Sequence, residues 1–345
     1  MRASAACLSV IVLLGGCASG GFVNQVDALM RDYDGNVPGA SVLVVRDGKA
    51  VVRRAYGLAS VEDRVKATPA TNYRLASVTK QFTAAAILLL MESGKLRLDD
   101  PIRKWLPSLP EATSAITIRH LLTHTSGLVD YEDVIPEGTT AQVHDADVLR
   151  LLESQNRTNF APGSSYRYSN SGYSLLALIV ERASGQTFAS FLRDRIFLPL
   201  GMQHTVAFED GISTVANRAF GHTLANGTWT RTDQSVTSAV LGDGGIYSSI
   251  DDLARWDAAL GDDRLLRRET FRLAFTPATD TDDPNVKYGF GWRITGDTLW
   301  HSGETRGFRN VIVRDPRRHL TVVILTNRNG PEPYAKALEI AKLFP

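Results

Sequence analysis

Two stretches near opposite ends of the chain read as β-hairpins, and together they restrict the fold more than anything between them. ASVLVVRDGKAVVRRAYG sets two runs rich in β-branched residues on either side of Asp47-Gly48, a pair suited to the left-handed backbone of a tight hairpin turn. GFRNVIVRDPRRHLTVVILTN repeats the pattern around Asp315-Pro316, and Thr298–Ser302 ahead of it reads as a further strand. An isolated hairpin is marginal in water, so the economical solution joins the two ends in one antiparallel sheet. Helices flank both ends. Val23, Val26, Met30 and Tyr33 recur at helical spacing before the first hairpin, and a last helix is predicted from about Tyr334 to Leu343.

Between the hairpins the periodicity is mostly helical. Helices are predicted at Ser77–Glu92 (closed by Gly94), Thr117–Leu122, Ala146–Glu153, Gly172–Ala183 (closed by Gly185), Phe188–Ile196, Asp251–Leu260 and Glu269–Phe275. No internal repeat, low-complexity tract or long linker interrupts them. The expected architecture is α/β plus all-α in a single domain over 22–345. An antiparallel sheet of N- and C-terminal strands is flanked by the terminal helices (about 22–70 and 285–345), and a helical lobe (about 75–245) is inserted between. The cleft between two such lobes is a natural place for a site.

The first residues belong to targeting. Arg2 precedes a short apolar run, Leu8–Leu14, too short to span a bilayer. It ends in LLGGC, which resembles a bacterial lipoprotein processing site and would make Cys17 the acylated first residue of the mature chain. A plain signal peptide cut after Ala18 satisfies the same small-residue positions. Either way the protein is expected to be exported to the periplasmic face. With Ala18 after the cysteine, a lipid anchor in the outer membrane is expected. The other cysteine, Cys7, lies in the removed segment, so the mature domain has no disulfide and no cysteine for zinc. Among 345 residues the formal net charge is +1, with no run of Lys or Arg. A nucleic-acid partner therefore finds no electrostatic footprint.

RLASVTKQF, Arg74–Phe82, puts Ser77 and Lys80 three residues apart at the mouth of a helix with no charge from Phe82 to Met91. At that spacing the two side chains share a face. Ser77 could simply cap the helix, but a capping box wants Glu or Gln at position 80, and lysine there opposes the helix dipole. A serine hydroxyl needs a base to become a nucleophile, and a lysine desolvated or set near other positive charge can be that base or tune one. Taken alone, a Ser-x-x-Lys is weak evidence.

Two further stretches strengthen it. YRYSNSGY places Tyr168-Ser169-Asn170 just before a helix, and LWHSGETRGF places His301-Ser302-Gly303 at the end of a strand. In this order the three motifs resemble the serine penicillin-recognising family: class C β-lactamases, D-alanyl-D-alanine carboxypeptidases, D-aminopeptidases and family VIII esterases. LLTHTSGL (Leu121–Leu128) and GDGGIYSSIDDLARW (Gly242–Trp256) are similar to recurring stretches of that family. The resemblance runs from about Val23 to the last helix. It implies a β-lactamase/transpeptidase-like fold and a serine hydrolase acting through an acyl-enzyme on a D-amino-acid peptide, a small ester or a β-lactam. Ser77 would attack the carbonyl, Lys80 would hold and tune it, and Tyr168 would be the general base. Asn170 would bond the substrate amide or Lys80, and the strand His301-Ser302-Gly303 would lie beside the substrate. The backbone N–H of Glu304 would join that of Ser77 as an oxyanion hole. No cofactor or metal is implied, the expected partners are small-molecule or peptide substrates, and the chain is expected to be a monomer. The alternative within the resemblance is a penicillin-binding sensor that acylates and turns over little.

One departure matters. His301 stands where many relatives carry lysine, and a histidine is charged only part of the time near neutral pH, which weakens the case for an efficient β-lactamase. His120, His124, His144, His204, His222 and His319 read as structural or surface residues, with His124–Gly127 as a turn bracing the site. Asp243, Gly244 and Gly245 read as a cleft wall. No Gly-x-Ser-x-Gly, His-Glu-x-x-His or phosphate-binding loop is present, which argues against an α/β-hydrolase, a zincin and a nucleotide-binding site.

Overall fold

A computed structural model describes residues 18–345; Cys17 and the targeting segment lie outside the described residues. The hairpins form as their turn residues predict. Strand β1 (Ala40–Arg46) returns as β2 (Lys49–Tyr56) through Asp47 and Gly48, both at positive φ (50° and 73°). At the other end β3 (Thr279–Asp280), β4 (Lys287–Tyr288), β5 (Arg293–Thr295), β6 (Thr298–Thr305), β7 (Phe308–Asp315) and β8 (Leu320–Thr326) follow one another. All join one eight-stranded antiparallel sheet of order β3-β4-β5-β6-β7-β8-β1-β2. The two chain ends meet at β1 and β8, in register from Ala40 opposite Thr326 to Arg46 opposite Leu320.

Period-two alternation divides the sheet between two cores. Ala40, Val42, Val44, Val322 and Ile324 pack outward against the terminal helices α1 (Ala18–Leu29) and α7 (Tyr334–Lys342), through Val26, Ala337 and Ile340. Leu43, Val45, Ile312, Val323 and Leu325 face the helical lobe. That lobe is centred on α2 (Lys80–Glu92) and also contains α3 (Asp145–Glu153), α4 (Asn170–Ser184), α5 (Ile250–Ala259) and α6 (Arg268–Phe275). Every residue of α2 from Lys80 to Leu90 is buried, as its uncharged run implies, and α4 ends at Gly185 in the left-handed conformation that suits glycine.

Several elements differ from the sequence reading. The helix expected to begin at Ser77 begins at Lys80, because Ala76–Thr79 forms a tighter 3-10 turn with Ala76 at φ 50°. The helix expected over Phe188–Ile196 is helical only to Leu192 and then widens into a π-turn, Arg193–Phe197. The middle also holds a three-stranded ribbon (Tyr73–Arg74, Ile246–Ser248, Val206–Ala207) and a hairpin (His222–Ala225, Thr228–Arg231). Among the described residues no helix is long and apolar enough to cross a membrane.

Candidate active site

The turn carrying Ser77 is clamped between the sheet and the helical lobe. Asn310 of β7 donates through Nδ2 to the Arg74 carbonyl at 2.7 Å, and the Leu75 N–H donates to the Ile246 carbonyl at 2.8 Å. The Ile246 N–H in turn donates to Thr79 Oγ1 at 3.3 Å. From β6, Gly303 comes so close that a Cβ there would sit 2.0 Å from the Leu75 carbonyl oxygen. Backbone at positive φ is costly for a residue with a Cβ, so these contacts hold Ala76 in a conformation it would not adopt alone.

Ser77 does not cap the helix; Lys80 reaches back to it. The Lys80 side chain is fully buried, and its Nζ lies 3.0 Å from Ser77 Oγ, 2.8 Å from Asn170 Oδ1 and 3.0 Å from the Asp243 carbonyl oxygen. An ammonium has three donors, and all three are used. The lysine that was wrong for a helix start is thus a fully satisfied buried group beside a serine. Asn170 opens α4; Asp130 Oδ2 takes its backbone N–H at 2.7 Å, leaving its amide to bridge Lys80 and Glu132 Oε1 (3.1 Å).

Tyr168 lies with its ring centroid 5.0 Å from Lys80 Nζ. His124, at φ 58°, stacks on that ring at 4.2 Å and accepts the Ser169 N–H through Nδ1 at 3.2 Å. Burial first, then the charges of Lys80 and neighbouring groups, drives the His124 pKa well down, so the ring is neutral and braces the tyrosine. Among the described residues the Tyr168 hydroxyl forms no hydrogen bond with another protein group.

Burial holds His301 to the uncharged side of the part-time charge its residue type allows. His301 is 1% exposed, and burial first, then Arg293, pushes its pKa well below the ordinary histidine value. Its Nδ1 lies 2.6 Å from the Ser302 carbonyl, which can only accept, so Nδ1 carries the hydrogen and Nε2 accepts the Tyr288 hydroxyl at 2.9 Å. The imidazole is neutral and fully engaged. β7 pairs with β6 along its length, but β5 pairs with it only over Thr298–Trp300, so among the described residues the β5-facing side of His301, Ser302, Gly303, Glu304 and Thr305 has no strand beside it. The Glu304 carboxylate pairs with Arg309 at 2.5 Å.

A narrow cleft of about 50 Å³ is lined by Ser77, Glu132, Asn170, Thr237, Glu304 and Thr305. A larger hollow of about 420 Å³ beside Phe197 and Met202 shares none of these residues; convergent polar groups, not size, mark the site. The sequence reading missed Tyr131 and Glu132, and took Asp243 only as wall. Its carboxylate is buried, accepts the Tyr131 hydroxyl at 3.0 Å, and has a pKa raised by burial to about 7. The one available signal was an acidic residue flanked by glycines in Gly242–Gly245. Among the described residues no group of three or more His, Cys, Asp or Glu side chains could hold a metal ion.

Ser77, bonded to the buried Lys80, thus sits in a turn between an antiparallel sheet and a helical lobe. The beta-lactamase family model matches residues 24–344. Penicillin-binding protein 4* of Bacillus subtilis (strain 168) is 31% identical over 317 residues, which are 86% of this chain and 70% of that protein. A D-aminopeptidase of Gluconobacter oxydans (strain 621H) is 30% identical over 336 residues, 92% of this chain and 60% of that protein. The solved octameric penicillin-binding protein homologue from Pyrococcus abyssi superposes with a TM-score of 0.82 at 28% identity, covering 93% of this chain and 77% of that one. The chain belongs to the beta-lactamase family, whose general chemistry is serine-dependent hydrolysis through an acyl-enzyme. It spans 60% to 70% of the length of these two curated relatives.

Proposed function

We propose that the protein is an exported serine hydrolase in which Ser77 is acylated by an amide or ester substrate. The observation that carries this is the buried Lys80 ammonium with its donors spent on Ser77, Asn170 and Asp243. In this reading Tyr168 acts as the phenolate beside the Lys80 ammonium; Ser77 Oγ adds to the substrate carbonyl as its proton passes to the phenolate oxygen, leaving Tyr168 as the neutral phenol. The backbone N–H groups of Ser77 and Glu304 receive the oxyanion, a donor set worth roughly 10²–10³ in turnover per donor. The carbonyl–leaving-group bond then breaks, and the leaving amine or alcohol takes the proton from Tyr168. Water, deprotonated by Tyr168, releases the acyl group and restores Ser77.

The substrate reading favours D-amino-acid amides or peptides and small esters over β-lactams. A carboxylate on the leaving side would want a cation, and the neutral His301 beside the Glu304 rim offers none. Glu132 at the other wall suits an amine-bearing acyl group. Export and a lipid anchor on Cys17 belong to the same reading, and labelled palmitate should enter wild type and not Cys17→Ser.

The test is a turnover panel of nitrocefin, p-nitrophenyl butyrate, D-alanyl p-nitroanilide and a D-Ala-D-Ala peptide, with fluorophosphonate mass labelling. Ser77 should carry the label and Ser77→Ala should not. Tyr168→Phe should lose roughly 10²-fold or more in ester turnover. Equal labelling of Ser77→Ala would sink the nucleophile assignment, and wild-type turnover by Tyr168→Phe would move the base to Lys80.

A further inference from the structure

Arg293 is half-buried on β5, directly opposite Trp300 of β6. Its guanidinium carbon lies 5.5 Å from the Tyr168 ring centroid and 5.4 Å from that of Trp300. Trp300 in turn stacks on Tyr334 of α7 at 4.0 Å, so the guanidinium is a layer in a stack running from the terminal helix to the site. Arg218, Arg309 and Arg314 pair with the carboxylates of Asp233, Glu304 and Asp257, and the more deeply buried Arg74 and Arg328 donate to the Ser238 and Asp32 carbonyls. Among the described residues Arg293 makes no such pair, and its Nε is buried without a hydrogen-bond partner. An orphaned Nε recurs at Arg74, Arg218 and Arg328; what distinguishes Arg293 is that its half-buried guanidinium has no counter-ion to offset its desolvation and lies beside the Tyr168 ring.

The groups around Tyr168 are Lys80 from α2, His124 from the preceding turn, Tyr288 and His301 from the sheet, and Tyr166 and Tyr173 from its own segment. The imidazoles are neutral and the phenols uncharged. Lys80 is occupied by Ser77, Asn170 and the Asp243 carbonyl. Apart from its place on Trp300, Arg293 is therefore the positive charge among these neighbours with no hydrogen-bond or ion-pair partner among the described residues. We propose that Arg293 is a positioning residue for Tyr168, supplying the second cation that lets the phenol give up and take back a proton, at the place where a neutral His301 cannot. This rests on the general-base reading of Tyr168. No bond to Arg293 forms or breaks; its charge stabilises the phenolate oxygen while the proton is on its way to or from Ser77.

The experiment follows kcat/KM for p-nitrophenyl butyrate, an uncharged ester, from pH 5 to 10 in wild type, Arg293→Gln, Arg293→Lys and Tyr168→Phe, with thermal melting of each. Removing a unit charge at this distance from a partly screened group should move the acid limb up by about one pH unit and lower the neutral-pH rate about tenfold. Arg293→Gln should show both, and Arg293→Lys should keep the wild-type limb. A limb unmoved in Arg293→Gln, with the rate lowered equally at all pH values, overturns the inference, as does an equal shift in Arg293→Lys. If Tyr168→Phe keeps wild-type turnover, the general-base reading fails and takes this inference with it. If Tyr168→Phe is inactive while Arg293→Gln keeps its limb, this inference alone fails. Should Arg293→Gln not fold, Arg293→Met is measured against the same two criteria.

Discussion

Gly303→Ala is the sharpest test of how the nucleophile is held. The added Cβ would meet the Leu75 carbonyl oxygen at 2.0 Å, whereas real Cβ contacts essentially never fall below 3.0 Å, so strand and turn must part by at least 1.0 Å. Gly303 is not at positive φ, and the cost is therefore steric. Overpacking of this kind typically costs about 1–3 kcal/mol, which for a chain of this size lowers Tm by roughly 2–5 °C. The effect on chemistry is larger. Leu75 lies two residues before Ser77, whose Oγ must stay 3.0 Å from Lys80 Nζ, and a misplacement of about 1 Å can cost ~10²-fold in rate. Single-turnover acylation by a fluorophosphonate, read beside a melting curve, separates the two. The expected result is a folded protein acylating ~10²-fold more slowly. Gly21→Ala, in α1 where a Cβ would meet nothing within 4 Å, serves as control. Acylation of Gly303→Ala within a few-fold of wild type would refute the idea that β6 sets the position of the turn.

Three further outcomes are expected. Ala76→Gly relieves a positive φ but frees the unfolded chain, so stability should stay within about 1 kcal/mol of wild type while acylation slows several-fold in stopped flow; faster acylation would show that the strained turn hinders catalysis. His301→Lys, which installs the lysine of many relatives, would bury an ammonium at a site 1% exposed. It should lower Tm markedly and leave nitrocefin turnover no better; a stable variant with raised turnover would contradict the burial argument. For Asp243, the folded pKa of about 7 lies above the ordinary 3.8, so its stabilising contribution is complete below about pH 4 and is lost as pH rises to 7. Melting of Asp243→Asn relative to wild type should therefore move in the variant's favour across that window, by at most about 1.4 kcal/mol per pH unit. A pH-independent gap would refute it.

What could be read from the sequence was carried by local chemistry. Asp47-Gly48 and the alternating runs around it needed no distant partner to declare a hairpin, and the uncharged stretch behind Lys80 announced a buried helix. The Ser77, Tyr168 and His301 motifs gathered because a family resemblance supplied their order. What was not readable depends on contacts distant in sequence. Ala76 takes positive φ because Asn310, Ile246 and Gly303 hold its neighbours. The Asp243 carboxyl matters because Tyr131 meets it, and nothing in the sequence around Arg293 ties it to Tyr168 and Trp300, which the fold brings around it. The charge state of His301 follows from burial, which residue type alone does not disclose.

The pairing of β1 with β8 also dictates an order of events. Residues 40–46 must wait for residues 320–326 before they have a second neighbour, and contacts so far apart in the chain form slowly. The clamp on the Ser77 turn draws on Gly303 and Asn310, which belong to the same late-arriving strands. A nascent chain therefore carries its serine and lysine long before it can hold them together. On the proposed mechanism Ser77 gains its reactivity only when the C-terminal strands dock, so a chain clipped before them should take no fluorophosphonate label.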